Sequence, residues 1–245
     1  MPFTRSRRWV RWLLVSVAAL VVAAVAGPFV YIHFFDGSTP AALSLSPSTS
    51  TSTSASAPGR SQAVSTAVSG PVTGTWTVGS GSTAGYRVNE VLLGQSATAV
   101  GRTSTITGHL TIAGSAVTGA TFSVPMDTIH SDKSQRDGQF DGRIMDVAQY
   151  PTGTFTLTSP IDLGTLPASG VIKDYTAYGR LTLHGTTRAV TFTLTAELKS
   201  GHIEVAGDIP VLFSDYNIQN PSFAGFVTTQ DHGLLEFLLV FTKAS

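Results

Sequence analysis

A strict two-residue alternation of apolar and polar side chains limits what this chain can fold into. It is clearest in AVTFTLTAEL, residues 189–198, where apolar side chains at the even positions alternate with Thr and Glu at the odd positions from 191. Successive side chains of a strand point to opposite faces, so this pattern predicts a strand with one buried face. The β-branched threonines favour the same conformation.

The alternation recurs over the rest of the chain beyond residue 74. Candidate strands are residues 75–78, 85–91, 106–112, 118–126, 153–159, 178–185, 202–211 and 234–243. Turn-forming pairs such as Gly114-Ser115 and Ser200-Gly201 separate them at hairpin-like spacing. Eight or nine strands without crossover helices indicate an all-β antiparallel fold. Periodicity alone does not separate an up-and-down barrel from a sandwich.

The N-terminal region has the features of a membrane anchor. Four arginines within the first eleven residues precede twenty uncharged residues, 13–32, which are long enough to cross about 30 Å of hydrocarbon. The positive-inside rule then places the N-terminus in the cytoplasm and the remaining chain outside it. A signal peptide cleaved near Ala26 is the alternative, because a basic start, an apolar run and AVA fit it too. The continued apolar run PFVYIHFF favours the anchor.

These features divide the chain into four parts. They are a basic cytoplasmic N-terminus (1–12), a transmembrane signal-anchor helix (13–35), a linker rich in Ser, Thr, Pro and Ala (36–70) and one globular domain (71–245). Nine of the eleven residues 46–56 are Ser or Thr, and no large apolar side chain there would offset the cost of ordering them. We therefore predict a flexible tether.

Composition and motifs exclude several functions. From Pro71 onward there are 10 basic and 14 acidic residues, a net charge of about −4, which does not favour nucleic acid. The absence of cysteine excludes disulfides and thiolate zinc sites. G-x-S-x-G and a phosphate-binding loop are absent, and the six histidines lack metal-ligand spacing. The sequence therefore predicts no cofactor, no metal site and no catalytic residue.

Charge is concentrated in DKSQRDGQFDGRIMDVAQYPT, residues 132–152. Seven of the fifteen residues 132–146 are Asp, Lys or Arg, against 12% in the whole chain. Asp132 and Arg136 have the i, i+4 spacing of a helical ion pair, whereas Gly138 and Gly142 weaken such a helix by about 1 kcal/mol apiece. We predict a short helix that packs through apolar side chains.

The same segment resembles the signature of the YceI-like proteins, in which an Arg-Asp pair precedes an Asp, an aromatic-Pro pair and a Phe. Here these residues are Arg136, Asp137, Asp146, Tyr150-Pro151 and Phe155. Three further segments are similar to other motifs of the family. They are GTWTV (74–78), GRLTLHGTTRAVTFTL (179–194) and IPVLFSDYNIQNP (209–221).

This resemblance implies an extended, eight-stranded, antiparallel, lipocalin-like β-barrel with a short helical segment and an apolar pore that binds polyisoprenoids or other amphiphilic lipids. It implies a secreted or periplasmic protein without enzymatic activity. The expected pore-lining residues are Phe155, Leu157, Leu181, Leu183, Phe192, Leu194 and Phe237. The motif residues Arg136, Asp137, Asp146, Tyr150, Pro151 and His184 are expected to be structural or at the pore rim, with Arg136 paired to a carboxylate such as Asp146.

Two departures from the family pattern predict a differently shaped pore mouth. Tyr216-Asn217 stands where Phe-Gly is common, and residues 88–108 are longer than the usual connection.

Three functions fit the sequence. The first is a membrane-tethered extracytoplasmic protein that sequesters or carries a lipid in its barrel, where burial at about 0.8 kcal/mol per CH₂ could supply micromolar affinity. The second is an envelope stress or interaction module without a ligand. The third is a lipid-modifying enzyme that uses Arg136, Asp137 and His184, which no catalytic motif supports. The expected partners are the lipid and the cytoplasmic membrane, and a homodimer is compatible with the sequence.

The anchor can be tested by cell fractionation. Immunoblotting should detect the full-length chain in the membrane fraction, because an uncleaved helix over 13–35 holds it there. A shortened protein in the soluble fraction would instead identify a cleaved signal peptide.

Overall fold

The computed structural model describes residues 39–45, 72–92, 94–165, 169–222 and 227–244. The predicted anchor, 13–35, and most of the predicted linker lie outside these residues. Within the described ranges, no helix is both long and apolar enough to cross a membrane.

The described residues form twelve strands and one short α-helix. The strands are β1 Gly74–Val78, β2 Thr83–Leu92, β3 Gln95–Thr103, β4 Thr107–Ala113, β5 Ala116–Pro125, β6 Thr152–Leu157, β7 Ile161–Asp162, β8 Lys173–Leu183, β9 Thr186–Lys199, β10 His202–Leu212, β11 Val227–Thr229 and β12 His232–Lys243. Helix α1 spans Ser134–Gln139 and continues as a π-helical turn, Phe140–Ile144, while 3₁₀ turns span Met126–Thr128 and Phe213–Tyr216.

Eight strands close into an antiparallel barrel. β1 and β2 both pair with β12 and act as one strand interrupted at residues 79–82, and β4 and β3 pair with them in the same way. Around the barrel the order is then β1/β2, β4/β3, β5, β6, β8, β9, β10 and β12. The pairing of β12 with β1 closes the wall. The predicted barrel is confirmed, and the sandwich is excluded.

The nine segments predicted as strands all fall on strands of the structure. β3 was missed, because its side chains at Ala97, Ala99 and Gly101 are too small to produce a visible apolar alternation. The short strands β7 and β11 were also missed. The predicted short helix is confirmed as α1 with its π-helical turn.

Two clusters of apolar side chains lie at opposite ends of the barrel interior. The mouth end, next to the π-helical turn, is packed by Phe140, Leu183 and Phe213 among others. The inner end is packed by a cluster that includes Trp76 and Phe241. Val124 and Phe237 contact both clusters, so the two ends form one continuous interior.

Three phenylalanine rings of the inner wall lie over glycines of neighbouring strands. A Cβ added to any of these glycines would come within 2.2–2.9 Å of the ring, which is closer than side chains pack, so only glycine leaves room. Aromatic rings commonly cover strand glycines in this way. The pairs are Phe122 over Gly108, Phe155 over Gly179 and Phe237 over Gly207.

A buried ion cluster joins three adjacent strands. Glu236 of β12 is 4% exposed and accepts hydrogen bonds from Arg87 Nε of β2 at 2.5 Å and from Arg102 of β3. Arg87 Nη2 also donates to the carbonyl oxygen of Pro40 at 2.7 Å, and Leu45 is buried. The described part of the predicted linker, 39–45, is therefore bound to the barrel.

Replacement of Gly179 by Ala should lower the free energy of unfolding by about 1–3 kcal/mol, because the new Cβ would collide with the Phe155 ring. Gly119→Ala on β5 is the matched control, since a Cβ there meets no atom within 4 Å, and should be neutral or stabilising by up to about 1 kcal/mol. Denaturant unfolding of both variants measures the difference. Equal midpoints would contradict the close packing of Phe155 on Gly179.

Candidate ligand-binding site

The barrel encloses an apolar cavity of about 220 Å³, here called the barrel cavity. Its wall extends from Met126 and Leu183 at the mouth end to Leu110 and Ile203 at the inner end. Tyr175 and Leu183 of β8 both line it, and they are eight residues apart, which is about 26 Å of extended strand. So small a volume over that length is a narrow tunnel.

All seven side chains that were predicted to line the pore belong to this wall. Their contact with a ligand stays a prediction. They are Phe155, Leu157, Leu181, Leu183, Phe192, Leu194 and Phe237. The inward-facing residues of β4 and β5, such as Leu110 and Phe122, were not predicted, although the alternation of their strands contains the same signal.

A larger space of about 810 Å³, here called the mouth chamber, lies between β2, β3 and the helical segment. Its floor is apolar and includes Tyr86, Val88 and Phe140, whereas Arg136 and Arg143 are among its polar residues. Four residues line both cavities and are here called the neck: Met126, Ile129, Leu183 and Leu235. The chamber was not predicted, because its walls come from segments far apart in the sequence.

Phenylalanines form a belt around the barrel cavity. Each lines the cavity, and successive ring centroids lie 5.7, 6.3, 5.5 and 5.9 Å apart, which is contact distance for aromatic pairs. In the order of contact the belt residues are Phe241, Phe122, Phe155, Phe192 and Phe237. Gly179, under Phe155, lies midway between Leu183 and Tyr175 on β8, whereas Phe241 belongs to the inner-end cluster, so the belt runs from the middle of the tunnel toward its inner end.

Two polar groups interrupt the apolar wall near the inner end. The Tyr175 hydroxyl and Glu197 Oε2 are buried and have no hydrogen-bond partner among the described residues. Burial raises the pKa of Tyr175, so its hydroxyl keeps its proton at neutral pH. A polar atom of a ligand or a solvent molecule would satisfy these groups.

Arg136 joins α1 to the barrel wall at the chamber. Its Nη2 is 3.6 Å from Glu90 Oε1 of β2, and its Nη1 donates to Asp132. Burial alone would lower the pKa of Arg136, but the Glu90 and Asp132 carboxylates outweigh burial and raise it. The side chain is therefore a permanent cation held between two acids.

The prediction that Arg136 pairs with a carboxylate is confirmed, but Asp146 as its partner is wrong. The π-helical turn ends at Ile144, and Asp146 lies beyond it with a φ of 42°. The Asp146 carbonyl accepts hydrogen bonds from the next turn, residues 149–150. The chain has therefore turned away from the face of α1 that carries Arg136, and Glu90 takes the position from a distant strand.

Tyr86 and Asp137 hold the helical segment on the chamber wall. The Tyr86 ring stacks on Phe140, with centroids 5.0 Å apart and planes 17° apart. Burial raises the pKa of Tyr86 to about 12, so the ring is neutral. Asp137 accepts hydrogen bonds from the Ser131 backbone N–H at 2.8 Å and from the Ser131 hydroxyl at 2.6 Å. Both contacts tie the helix to neighbouring chain segments.

His184, Tyr150 and Pro151 form a second set of contacts at the mouth end. His184 Nδ1 is 3.1 Å from the Tyr216 carbonyl oxygen, and its ring meets Tyr150 edge-on at 4.6 Å. The Pro151 carbonyl accepts a hydrogen bond from Met126 N–H at 2.9 Å. Among the described residues, no hydrogen bond or ion pair joins His184 to Arg136 or Asp137.

In the described part of the chain, no three His, Asp or Glu side chains are close enough together to hold a metal ion.

The two departures from the family pattern both lie at the mouth end. The long segment 88–108 forms most of the β2–β3 hairpin, whose residues Val88, Glu90 and Ala99 line the mouth chamber. Asn217 has a φ of 55°, a left-handed conformation that Asn tolerates better than most residues other than Gly.

Replacement of Arg136 by Ala should lower the free energy of unfolding by about 1–2 kcal/mol, because Glu90 is largely buried and loses an ionic partner. Arg143→Ala is the control, since Arg143 also lines the chamber but is exposed, and should change stability by less than about 0.5 kcal/mol. Thermal unfolding, together with lipid affinity, measures both variants. A large affinity loss at unchanged stability would make Arg136 a ligand contact instead.

Comparison with known proteins places this fold in a family. Residues 76–241 match the family model described as YceI-like domain. Comparison with curated proteins finds no match.

Several solved structures share the fold, and two of them illustrate the likeness. One is a polyisoprenoid-binding domain from Saccharophagus degradans implicated in plant cell wall breakdown, with 16% identity and a TM-score of 0.57, covering 70% of this chain and 99% of that one. The other is BcnA from Burkholderia cenocepacia, with 18% identity and a TM-score of 0.50, covering 63% and 95%. The family match covers more than half of the chain and includes the segment from Arg136 to Phe155. This chain belongs to the YceI-like domain family.

Proposed function

We propose that this protein binds a polyisoprenoid or another amphiphilic lipid, with the chain in the barrel cavity and the head group in the mouth chamber. The observation that carries the proposal is that the neck residues, among them Leu183 and Leu235, line both spaces, so the cavity and the chamber adjoin there. A narrow apolar tunnel that opens into a wider, partly charged chamber matches a molecule with an apolar tail and a polar head.

The energetics of the tunnel suit a hydrocarbon chain. Each buried CH₂ contributes about 0.8 kcal/mol, and about ten such groups approach the free energy of micromolar binding before ordering costs are subtracted. The chamber adds Arg136, Arg143 and Glu90 around its apolar floor. Affinity would therefore come mainly from the chain, and orientation from the chamber.

The comparisons support the ligand class. The structural neighbour from Saccharophagus degradans is described as polyisoprenoid-binding, and it covers 70% of this chain. The identity is only 16%, so the particular lipid depends on the cavities of this chain.

We also propose that the helix over residues 13–35 holds the protein in the cytoplasmic membrane, with the barrel on the extracytoplasmic side. The basic N-terminus and the uncharged run support this arrangement. A barrel at that surface could take up a lipid from the bilayer and sequester or carry it. No catalytic step is required.

Replacement of Leu183 by Trp should lower lipid occupancy at least tenfold, because the indole would fill the neck between the two cavities. The full-length chain would be purified in a steroid-based detergent, which is too wide for the tunnel, and bound lipid would be measured by native mass spectrometry and solvent extraction. Wild-type protein should carry a prenyl or acyl lipid.

Ala189→Trp is the matched control, because it adds the same side chain at an exposed position of the adjoining strand β9. If Leu183→Trp does not fold, Leu235→Trp fills the neck from the other side. Wild-type protein that arrives empty and refuses both prenyl and acyl ligands would refute the proposed function.

A further inference from the structure

One wall of the mouth chamber is held together by a short segment that connects the π-helical turn to β11. Arg143 Nη2, in the π-helical turn, donates to the Pro221 carbonyl oxygen at 2.9 Å. One residue further along, Ser222 Oγ accepts a hydrogen bond from the Thr229 backbone N–H at 2.9 Å. Arg143, Pro221 and Thr229, here called the rim wall, all line the chamber. The segment therefore brings one side chain of the helical turn and one of β11 to the same wall.

Most of the positive charge in the chamber is already compensated. Among the described residues that line it, the charged ones are Glu90, Lys133, Arg136 and Arg143. Arg136 lies between Glu90 and Asp132. Lys133 Nζ is 3.8 Å from the Asp132 carboxylate. The two cations and the two carboxylates of this network balance one another.

Arg143 differs from these two cations, because its described partners are neutral. Its Nε donates to Gln139 Oε1 at 3.1 Å, and its Nη2 donates to the Pro221 carbonyl oxygen. A guanidinium is always charged and has five N–H donors, and Arg143 is exposed, so further donors can reach a ligand. The rim wall therefore carries one positive charge that pairs with no carboxylate of the described residues.

Thr229 adds a second donor to the rim wall. It is 7% exposed, and its hydroxyl is buried without a hydrogen-bond partner among the described residues. An unpartnered buried hydroxyl is unfavourable, and an acceptor oxygen of a ligand would satisfy it. Thr229 lies opposite Glu90 in the pairing of β11 with β2, where Arg136 already holds the carboxylate. An anion at this wall would therefore meet an uncompensated cation, a hydroxyl donor and an acid that is already paired.

We propose that the rim wall is a phosphate site, and that the lipid bound by this protein carries a phosphate as its head group. A phosphate monoester has about two negative charges and three strong acceptor oxygens. It can accept hydrogen bonds from the Arg143 guanidinium and from the Thr229 hydroxyl at once, whereas a neutral alcohol leaves the guanidinium without a counterion. This inference rests on the proposed function and names the head-group class that the same site selects.

The experiment compares farnesyl phosphate with farnesol, which have the same chain and differ in the head group. The full-length protein in the steroid-based detergent is titrated with each compound, and binding is measured by native mass spectrometry. Wild-type protein should bind the phosphate at least about tenfold more tightly, because a charge-assisted contact is added. Arg143→Gln should lose about that factor for farnesyl phosphate and less than about threefold for farnesol, whereas Arg143→Lys keeps the charge and should keep most of the preference. Arg180→Gln removes an exposed cation of β8 that lines neither cavity and is the matched control.

The Thr229 hydroxyl is tested separately with Thr229→Val, which nearly keeps the shape of the side chain and removes the donor. This variant should weaken farnesyl phosphate binding by about three- to tenfold and leave farnesol binding unchanged. Thr228→Val, at the neighbouring exposed position of β11, is the matched control. Added salt should reduce the preference for the phosphate over the alcohol, because ions screen exposed charges.

The possible outcomes separate this inference from the proposed function. Wild-type protein that binds neither compound refutes both. Equal affinity for the two compounds, or an Arg143→Gln variant that weakens both equally, refutes the phosphate site alone. Inorganic phosphate that binds as tightly as farnesyl phosphate would identify a free-phosphate site and overturn the lipid head group. If Arg143→Gln melts well below the wild type, Thr229→Val decides, and unchanged binding of farnesyl phosphate to that variant would overturn the site.

Discussion

The seam where the last strand meets the first is the constraint on which the rest of the structure depends. β12 pairs with β1 and then with β2, and Ala244 N–H donates to the Thr75 carbonyl beyond the end of the strand. Closure removes both sheet edges and separates the interior from solvent. The cluster of Glu236 with Arg87 and Arg102 ties this seam to β3. A barrel that opened here would lose the tunnel wall and expose buried charges.

Within the closed wall, a large side chain on one strand lies next to a glycine on the neighbouring strand. A phenylalanine on one strand covers a glycine on the next at Phe155 and Gly179, and again at Phe237 and Gly207. Each ring therefore covers the space above a glycine and presents an aromatic surface to the lumen. The mouth chamber is built differently, from a hairpin and a short helix that Arg136 and the stacking of Tyr86 on Phe140 hold together. The tunnel and the chamber adjoin at the neck residues.

Local pattern predicted most of the barrel, because the two-residue alternation assigns each side chain to a face. It assigns residues such as Phe192 and Leu181 to the wall without any information on strand pairing. Contacts that depend on strand register cannot be predicted from local pattern, because their residues are far apart in sequence. Phe155 with Gly179 and Arg136 with Glu90 are examples. Strand β3 carries only small inward side chains, so its hydrophobic signal is weak. The belt and the mouth chamber both depend on such relations, which is why they were not predicted.

The hydrogen bond from Arg87 to Pro40 changes the role of the Ser/Thr-rich run. Leu45 is buried and Val72 lies two residues before β1, so the described residues on both sides of this run pack against the barrel. The barrel therefore fixes the separation of residues 45 and 72, and doubling the length of chain between them would cost only about 0.6 kcal/mol. If the anchor ends at residue 35, the spacer shrinks to residues 36–39, at most about 14 Å. The barrel would then rest against the bilayer surface, within reach of lipids in the membrane that holds it.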